Sequence, residues 1–332
     1  MLRLFQPTKI RQNEMQFKST EKATPNSPAG DKKWVVTRRD FLKLSGVALS
    51  GLAFNPFASF GSGKTSPSLI RFGMVTDSHY ADSDPKGTRY YRQSLKKMKE
   101  CVELMNDQKV DFLVELGDFK DMSFPVSKEK TLGYLRAIES VFQKFRGPTY
   151  HVLGNHDTDS ISKNEFLAAV ENTGTAKSSK YYSFSSKGIY FIVLDADYRS
   201  DGSDYDSGNF DWKDTNVPAF EQAWLRQELK SATLPIIVFI HQPLDGTGNL
   251  YVKNAASIRS LLRRHKKVLA VFQGHKHAGD YNRIDGIYYY TLKALVEGSG
   301  SENNSYAIVD VKRNGDIIVT GYRRAVSKKL LL

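Results

Sequence analysis

The stretch Val152-Leu153-Gly154-Asn155-His156-Asp157 places an amide, an imidazole and a carboxylate directly after an apolar run that ends at a glycine. Polar groups at the end of a buried strand must be solvated, hydrogen-bonded or metal-bound, since an unpaired buried polar group costs about 1–3 kcal/mol. Taken alone, the residues could form an ordinary turn in which Gly154 and Asn155 supply the required backbone angles. Whether this stretch is an ordinary turn or part of a binding site therefore depends on how the other strands end.

Five predicted strands end in side chains that can bind a metal. Their endings are Asp77 and His79, Asp118, Asn155 and His156, His241, and His275 and His277. Strands alternate with helices from Leu69 onward, which predicts a layered α/β domain. Ligands of such folds bind at the carboxyl ends of strands, so these side chains are expected to converge. One histidine after a strand is usually only a hydrogen-bonded polar residue, but five such endings by chance are improbable.

The ligand types narrow the chemistry of the expected site. Imidazole and carboxylate groups without thiolates favour Mn, Fe or Zn and exclude a structural cysteine–zinc site. Two ions that share a carboxylate lie about 3.5–4 Å apart, which clamps both the attacking and the leaving oxygen of a phosphoryl displacement. The sequence therefore predicts two divalent or trivalent metal ions and a phosphate ester as the small-molecule substrate.

The ordered motifs resemble those of the calcineurin-like metallophosphoesterase family over roughly residues 69–324. They are Asp77-x-His79, Gly117-Asp118, Gly154-Asn155-His156-Asp157, His241 and Gly274-His275-x-His277. The resemblance implies an αββα sandwich of four layers with mixed sheets. It also implies that a metal-bridging hydroxide hydrolyses phosphodiester or pyrophosphate bonds without a covalent intermediate.

Roles for individual residues follow from the same resemblance. Asp77, His79 and His277 would bind the first ion, Asn155, His241 and His275 the second, and Asp118 would bridge the two. His156 would stabilise the transition state or protonate the leaving oxygen, and Asp157 would orient it.

A narrower resemblance is to the manganese-dependent ADP-ribose/CDP-alcohol diphosphatases. It rests on segments such as Phe72-Gly73-Met74-Val75, Tyr80-Ala81-Asp82, Gly87 to Leu95, Tyr181 to Phe184, Gly279-Asp280-Tyr281 and Val296-Glu297. Nucleotide diphosphate derivatives are the substrates that it implies. In this interpretation Arg89, Tyr90, Tyr91 and Arg92 bind phosphate and stack on a base. Equally, these tyrosines could pack at a helix start while the arginines form surface pairs. Animal members of this group carry Gln at the position of His79.

Two other functions are compatible with these motifs. One is an exported phosphomonoesterase or cyclic-nucleotide phosphodiesterase, and the other is a metal-stabilised binding protein without turnover. The net charge of +12 is concentrated in residues 1–64, which carry 11 Lys or Arg and 4 Asp or Glu. No clustered basic stripe is visible, so we expect no nucleic-acid partner.

The N-terminal segment has the pattern of an exported protein. Residues 1–36 predict a disordered leader. Arg38 and Arg39 precede Phe41-Leu42-Lys43 and a weakly apolar run at residues 44–57, which predicts a twin-arginine signal at residues 37–60. The apolar run is too short for a typical membrane span. We therefore expect the twin-arginine export machinery as a partner and a periplasmic location. No stable membrane association is expected unless the signal remains uncleaved.

The rest of the chain is divided into a linker at residues 61–68, a metallophosphoesterase domain at 69–326 and a tail at 327–332. Its single cysteine, Cys101, excludes an intramolecular disulfide. Apolar neighbours at helical spacing predict that this thiol packs in the core.

Overall fold

Twelve β-strands and five α-helices make up residues 67–331, the part of the chain that this computed structural model describes. The strands are β1 Ser68–Val75, β2 Leu113–Glu115, β3 Thr149–His151, β4 Tyr182–Ser186, β5 Ile189–Val193, β6 Ile236–Phe239, β7 Val268–Gln273, β8 Asp280–Ile284, β9 Ile287–Thr291, β10 Ser305–Lys312, β11 Ile317–Arg323 and β12 Lys328–Leu330. The helices are α1 Ser94–Asp107, α2 Lys128–Phe142, α3 Lys163–Ala169, α4 Ala219–Ser231 and α5 Ala255–Arg263. The predicted leader and export signal lie outside these residues.

The strands form two mixed sheets of six strands each. The first has the order β12-β11-β10-β1-β2-β3, in which β1, β2 and β3 are parallel and β10, β11 and β12 are antiparallel to their neighbours. The second has the order β4-β5-β6-β7-β9-β8, with β5, β6, β7 and β9 parallel and the outer strands antiparallel. Parallel strands bring their carboxyl ends to one edge of each sheet, where the polar endings lie.

An aromatic core joins the two sheets face to face. Phe72 stacks on Phe112 with ring centres 4.9 Å apart, and Phe191, Phe239 and Phe272 meet it edge-on at 5.6–5.8 Å. Each such buried side chain stabilises the fold by about 1.5–3 kcal/mol. The outer face of the first sheet packs on α1, α2 and α3, and that of the second on α4 and α5. The four-layered αββα sandwich is thus confirmed, and Cys101 lies buried in a helix-facing core as expected.

The predicted tail at residues 327–332 is partly a strand. Ile317, Ile318 and Val319 of β11 pair with Leu330, Lys329 and Lys328 of β12, and Leu330 is fully buried. Three residues with two lysines give no hydrophobic periodicity from which a strand could be predicted. The first sheet therefore continues beyond the predicted domain end at residue 326.

Two further elements went unpredicted. Helix α3 begins with a capping box in which Ser162 and Glu165 satisfy each other's backbone N–H groups, and this signal was present in the sequence. Strand β8 is a polar edge strand, the kind that carries little periodic signal. Within residues 67–331 no helix has the length and apolar character needed to cross a bilayer.

Candidate dinuclear metal centre

The first group of ligand atoms comes from Asp77 and His79, which follow β1, and His277, which follows β7. The Nε2 atom of His277 lies 3.3 Å from Oδ1 of Asp77 and 3.2 Å from Nε2 of His79. Nε2 of His79 lies 3.7 Å from the same Asp77 oxygen. Ligand atoms about 2.1 Å from one ion are roughly 3.0–3.4 Å from each other. The spacing of these three atoms therefore fits a shared metal ion.

A second group comes from Asp118, His241 and His275. Their ligand atoms all lie within 4.8 Å of one another, and Nε2 of His241 is 3.2 Å from Oδ2 of Asp118. The same Asp118 oxygen is 3.5 Å from Nε2 of His79 in the first group. Asp118 thus lies between the two groups, in the position of a bridging ligand.

Several buried polar atoms of these residues have no hydrogen-bond partner among the described residues. They are Oδ1 of Asp77, Nε2 of His241, Nε2 of His275, and both amide atoms of Asn155. Such atoms cost about 1–3 kcal/mol each when left unpaired. A cluster of unpaired lone pairs from carboxylate, amide and imidazole groups is what a bound cation satisfies. The residues therefore fit two metal ions, and the unpaired amide oxygen of Asn155 is available for the ligand role that remains its prediction.

The backbone at the ligands adopts an unusual conformation. Four ligand residues have a positive φ of 43–63°, namely Asp77, His79, Asp118 and His275. Each such non-glycine residue stores about 1–3 kcal/mol of strain, and strain of this kind concentrates at functional sites. Gly154 is required next to them, because a Cβ there would lie 2.3 Å from the backbone nitrogen of Asp118.

Hydrogen bonds orient the imidazole rings. The Nδ1 atom of His241 lies 2.8 Å from the carbonyl oxygen of Leu116, and Nδ1 of His277 lies 2.6 Å from the Glu297 carboxylate. These contacts assign the ring proton to Nδ1 and leave Nε2 as the ligand atom.

The electrostatics of two ligands, Asp77 and His275, favour metal binding. Burial alone would raise the pKa of Asp77, but the rings of His277 and His79 outweigh it and hold that pKa well below its ordinary value. Burial and the neighbouring His241 lower the pKa of His275 to about 3. Asp77 is therefore a carboxylate and His275 a neutral imidazole, and these are the protonation states that bind metals.

His156 lies beside the ligands with its ring fixed by two carboxylates. Its Nδ1 is 3.3 Å from Oδ1 of Asp121 and 3.8 Å from Oδ2 of Asp159, and Lys120 donates hydrogen bonds to Asp159 and to the His156 carbonyl. The other Asp121 oxygen is 3.4 Å from Nδ1 of His79. Since Nδ1 of His156 faces carboxylates, Nε2 is the atom left to act on a ligand.

The prediction that Asp157 orients His156 is wrong. The Asp157 carboxylate accepts hydrogen bonds from the backbone N–H groups of Gly154 at 2.9 Å, Asp118 at 3.1 Å and Phe119 at 2.9 Å. It therefore ties the loop after β3 to the loop after β2. The ring of His156 is contacted instead by Asp121 and Asp159.

The four predicted substrate-binding residues point in different directions. Arg89 lines the metal cavity of about 230 Å³. Arg92 pairs with Asp82 and Asp84 at the surface. Tyr91 is mostly buried in a small apolar cluster, and Tyr90 donates its backbone N–H to the carbonyl of residue 296. Side-chain contact with this cavity is thus limited to Arg89, and for the others the alternative of packing and surface pairing describes the structure.

Two apolar residues that sequence reasoning missed, Trp212 and Leu250, also line the metal cavity and are 40% and 37% exposed. Trp212 belongs to the loop at residues 199–216, which therefore lies beside the site. Tyr205 anchors this loop, since its buried hydroxyl donates to carbonyl oxygens of residues 211 and 214. An aromatic residue inside an Asp-, Gly- and Ser-rich loop was the available signal.

Comparisons with known proteins agree with this geometry. The model of the family described as calcineurin-like phosphoesterase matches residues 70–279. The manganese-dependent ADP-ribose/CDP-alcohol diphosphatase of Oryza sativa subsp. japonica is 28% identical over 275 residues, which is 69% of this chain and 84% of that protein. Its counterpart in Arabidopsis thaliana is 26% identical over 306 residues, covering 76% and 94%.

A solved structure shows the same fold. The crystal structure of a dimetal phosphatase from Danio rerio superposes with a TM-score of 0.69 at 19% identity, covering 80% of this chain and 99% of that one. The family match, the two ligand groups and this fold lead to one conclusion: the chain belongs to the calcineurin-like phosphoesterase family and is a metal-dependent phosphoester hydrolase with a two-metal centre.

Proposed function

We propose that the enzyme hydrolyses the diphosphate bond of nucleotide diphosphate derivatives such as ADP-ribose or CDP-alcohols. One observation carries this proposal: the cavity over the metal ligands combines a cation, Arg89, with the apolar side chains of Trp212 and Leu250. A guanidinium group binds phosphate oxygens, and an indole ring stacks on a base. The names of the plant relatives support the same class of substrate.

The residues of the site would have separate roles in hydrolysis. Asp77, His79 and His277 would hold the first ion, and Asn155, His241 and His275 the second, with Asp118 between them. Bound ions supply polarisation of the phosphoryl oxygens and acidify a water molecule. Arg89 neutralises charge on the substrate. His156 gives the proton on Nε2 to the leaving oxygen, while Asp121 accepts a hydrogen bond from Nδ1 and keeps the ring in place.

A parallel turnover screen tests the substrate class. ADP-ribose, CDP-choline, cyclic AMP and p-nitrophenyl phosphate are offered to the purified, manganese-loaded enzyme, and kcat/KM is compared. We expect the two diphosphates to be preferred. A higher kcat/KM for the monoester or the cyclic nucleotide would overturn the diphosphate assignment and leave the family chemistry intact.

Product inhibition tests the role of Trp212 directly. Loss of a stacked aromatic side chain costs about 1–3 kcal/mol per base, so Trp212→Ala should raise the inhibition constant of AMP by roughly 5- to 150-fold. The inhibition constant of inorganic phosphate should stay unchanged, because phosphate has no base. Phe220→Ala is the matched control, since Phe220 is 53% exposed and lines a different cavity. Equal effects on AMP and phosphate would contradict base stacking.

Export is a further part of the proposal. It rests on the sequence alone, because Arg38, Arg39 and the apolar run lie outside the described residues. We propose that the twin-arginine machinery carries the folded, metal-loaded enzyme to the periplasm. Changing both arginines to lysine should leave precursor in the cytoplasmic fraction, and normal export of that variant would refute the signal.

A further inference from the structure

Glu297 is not one of the predicted metal ligands, but its side chain contacts one of them, His277. Its Oε1 atom lies 2.6 Å from Nδ1 of His277, and both side chains are largely buried, at 15% and 17% exposure. Because Nε2 of His277 lies 3.3 Å from Asp77, the ring can serve an ion only with its proton on Nδ1. The Glu297 carboxylate accepts that proton's hydrogen bond and so selects the ligand tautomer.

The same loop holds the segment that carries Arg89. The backbone N–H of Tyr90 donates to the Val296 carbonyl at 3.0 Å, and that of Gly298 donates to the Thr88 carbonyl at 2.8 Å. Arg89 and Glu297 also pair as a short antiparallel bridge. The residue whose carboxylate contacts a metal ligand is therefore paired through its backbone with the segment whose guanidinium lines the cavity.

A buried lysine fixes the backbone of this loop. Nζ of Lys97 donates to the carbonyl oxygens of Leu295 at 2.8 Å, Glu297 at 3.0 Å and Gly298 at 2.7 Å. All three N–H groups of the ammonium are thus used on carbonyl groups within residues 295–298. Through Lys97, helix α1 is therefore hydrogen-bonded to the backbone of the loop that carries Glu297.

We propose that Glu297 is a positioning residue that orients His277 toward the first metal ion and joins this ligand to the Arg89 segment, and that Lys97 holds Glu297 in place. The proposal rests on the metal centre assigned above. Carboxylates that orient metal-bound histidines typically contribute 10- to 100-fold to metal affinity. Loss of Glu297 should therefore weaken the ion bound by Asp77, His79 and His277 and leave the other ion unaffected.

Calorimetric titration of the metal-free protein with Mn²⁺ tests this without any substrate. We expect Glu297→Gln to weaken one of the two ions by about 10- to 100-fold. The unfolding temperature of the metal-free variant should match that of the wild type, which separates orientation from general damage. Glu302→Gln is the matched control, since Glu302 is an exposed carboxylate of the same loop. Unchanged affinity for both ions in Glu297→Gln, or an equal loss in the control, would overturn the proposal.

A double-mutant cycle tests the role of Lys97. We expect Lys97→Met to weaken the same ion, and the double variant with Glu297→Gln to be no weaker than Glu297→Gln alone, because both changes act through one contact. Independent, additive losses would exclude Lys97 from the network. The Glu297→Gln variant alone is sufficient for the main test, because Lys97 is fully buried and its replacement could disturb the core, whereas Glu297 is partly exposed. Failure of the diphosphate screen would leave these affinities unaffected, so the two proposals fail separately.

Discussion

Oδ2 of Asp118 lies 3.2 Å from Nε2 of His241. That oxygen also lies 3.5 Å from Nε2 of His79, so one atom faces both ligand groups. Asp118→Asn replaces a shared carboxylate by a neutral amide and should prevent binding of both ions. Elemental analysis should find less than one metal per chain, and turnover should fall by about 10²–10³-fold or more.

The control for this variant is another carboxylate of the same sheet. Asp310 in β10 pairs with Arg71 at 3.1 Å, on a strand of the first sheet that carries no ligand. Asp310→Asn should retain two ions and wild-type turnover. Retention of both ions by Asp118→Asn would show that this residue does not bridge them.

His156→Ala should separate catalysis from metal binding. His156 forms a third cluster of potential ligand atoms with His79 and Asp121, but it belongs to neither of the two ligand groups described above, so the variant should keep both ions. Its kcat should fall by about 10²–10⁴-fold, and the loss should be larger for alkyl leaving groups than for nitrophenolate, which needs no proton. Asp121→Asn should show the same dependence on the leaving group in weaker form. Loss of metal from His156→Ala would refute the catalytic role.

The residues that could be predicted from sequence are those whose role depends on local position. Asp77, His241 and His275 follow closely on the ends of buried strands, so the order of the strands brings them together independently of the loop conformations. The contact of Glu297 could not be predicted, because this residue lies in a loop without periodicity and reaches the site only through the tertiary fold. For Trp212 the sequence offered only an aromatic residue in a polar loop, which does not say what the ring contacts.

Neighbouring positions in the sequence did not predict shared contacts for Asp157 and for Arg92. Asp157 follows His156 directly, yet the tight turn sends its carboxylate to backbone N–H groups of another loop. Arg92 belongs to the predicted substrate-binding segment, but the direction of a surface side chain depends on which carboxylates lie nearby. Here those are Asp82 and Asp84, which draw the guanidinium away from the cavity.

A buried histidine outside the metal site should give the protein a pH-dependent stability. Nε2 of His151 lies 3.1 Å from Glu139 and Nδ1 lies 3.6 Å from Glu115. Burial would lower the pKa of His151, but these carboxylates outweigh it and raise the pKa to about 10 from its ordinary 6.5. Burial raises the pKa of Glu115 to about 8, so the charged partner is Glu139. Removal of the cation leaves that buried carboxylate unpaired, so His151→Gln should lose about 3–5 kcal/mol of unfolding free energy.

The pH window of that loss follows from the direction of each shift. A raised histidine pKa contributes stability that is complete below about 6.5 and disappears as the pH rises through about 10. The pKa of Glu139 is lowered from 4.5, because His151 outweighs the effect of burial, so its contribution disappears in acid. Urea unfolding of wild type and His151→Gln should therefore differ most between about pH 4.5 and 6.5 and converge toward pH 10. A constant difference across this range would contradict a charged pair.

Lys163 provides the counter-charge for a second buried cluster. Its ammonium lies 2.6 Å from Oδ2 of Asp195 and 2.5 Å from Oδ1 of Asp204, donates to the Asp197 carbonyl, and stands 3.8 Å from the centre of the Tyr198 ring. The lysine side chain is 2% exposed and Asp195 is fully buried. Asp195 and Asp197 follow β5 and Asp204 belongs to the Trp212 loop, so this one cation joins the sheet to that loop.

Lys163→Met should therefore destabilise the fold by about 3–5 kcal/mol, because Asp195 loses its partner in a site that water does not reach. Lys177→Met, at an exposed position nearby in the chain, should change the unfolding free energy by less than about 0.5 kcal/mol. Adding Asp195→Asn to Lys163→Met should recover part of the loss, since an amide has no charge to desolvate. If Lys163→Met unfolded at the same urea concentration as the wild type, the buried cation would not stabilise the loop, and Trp212 would need another anchor.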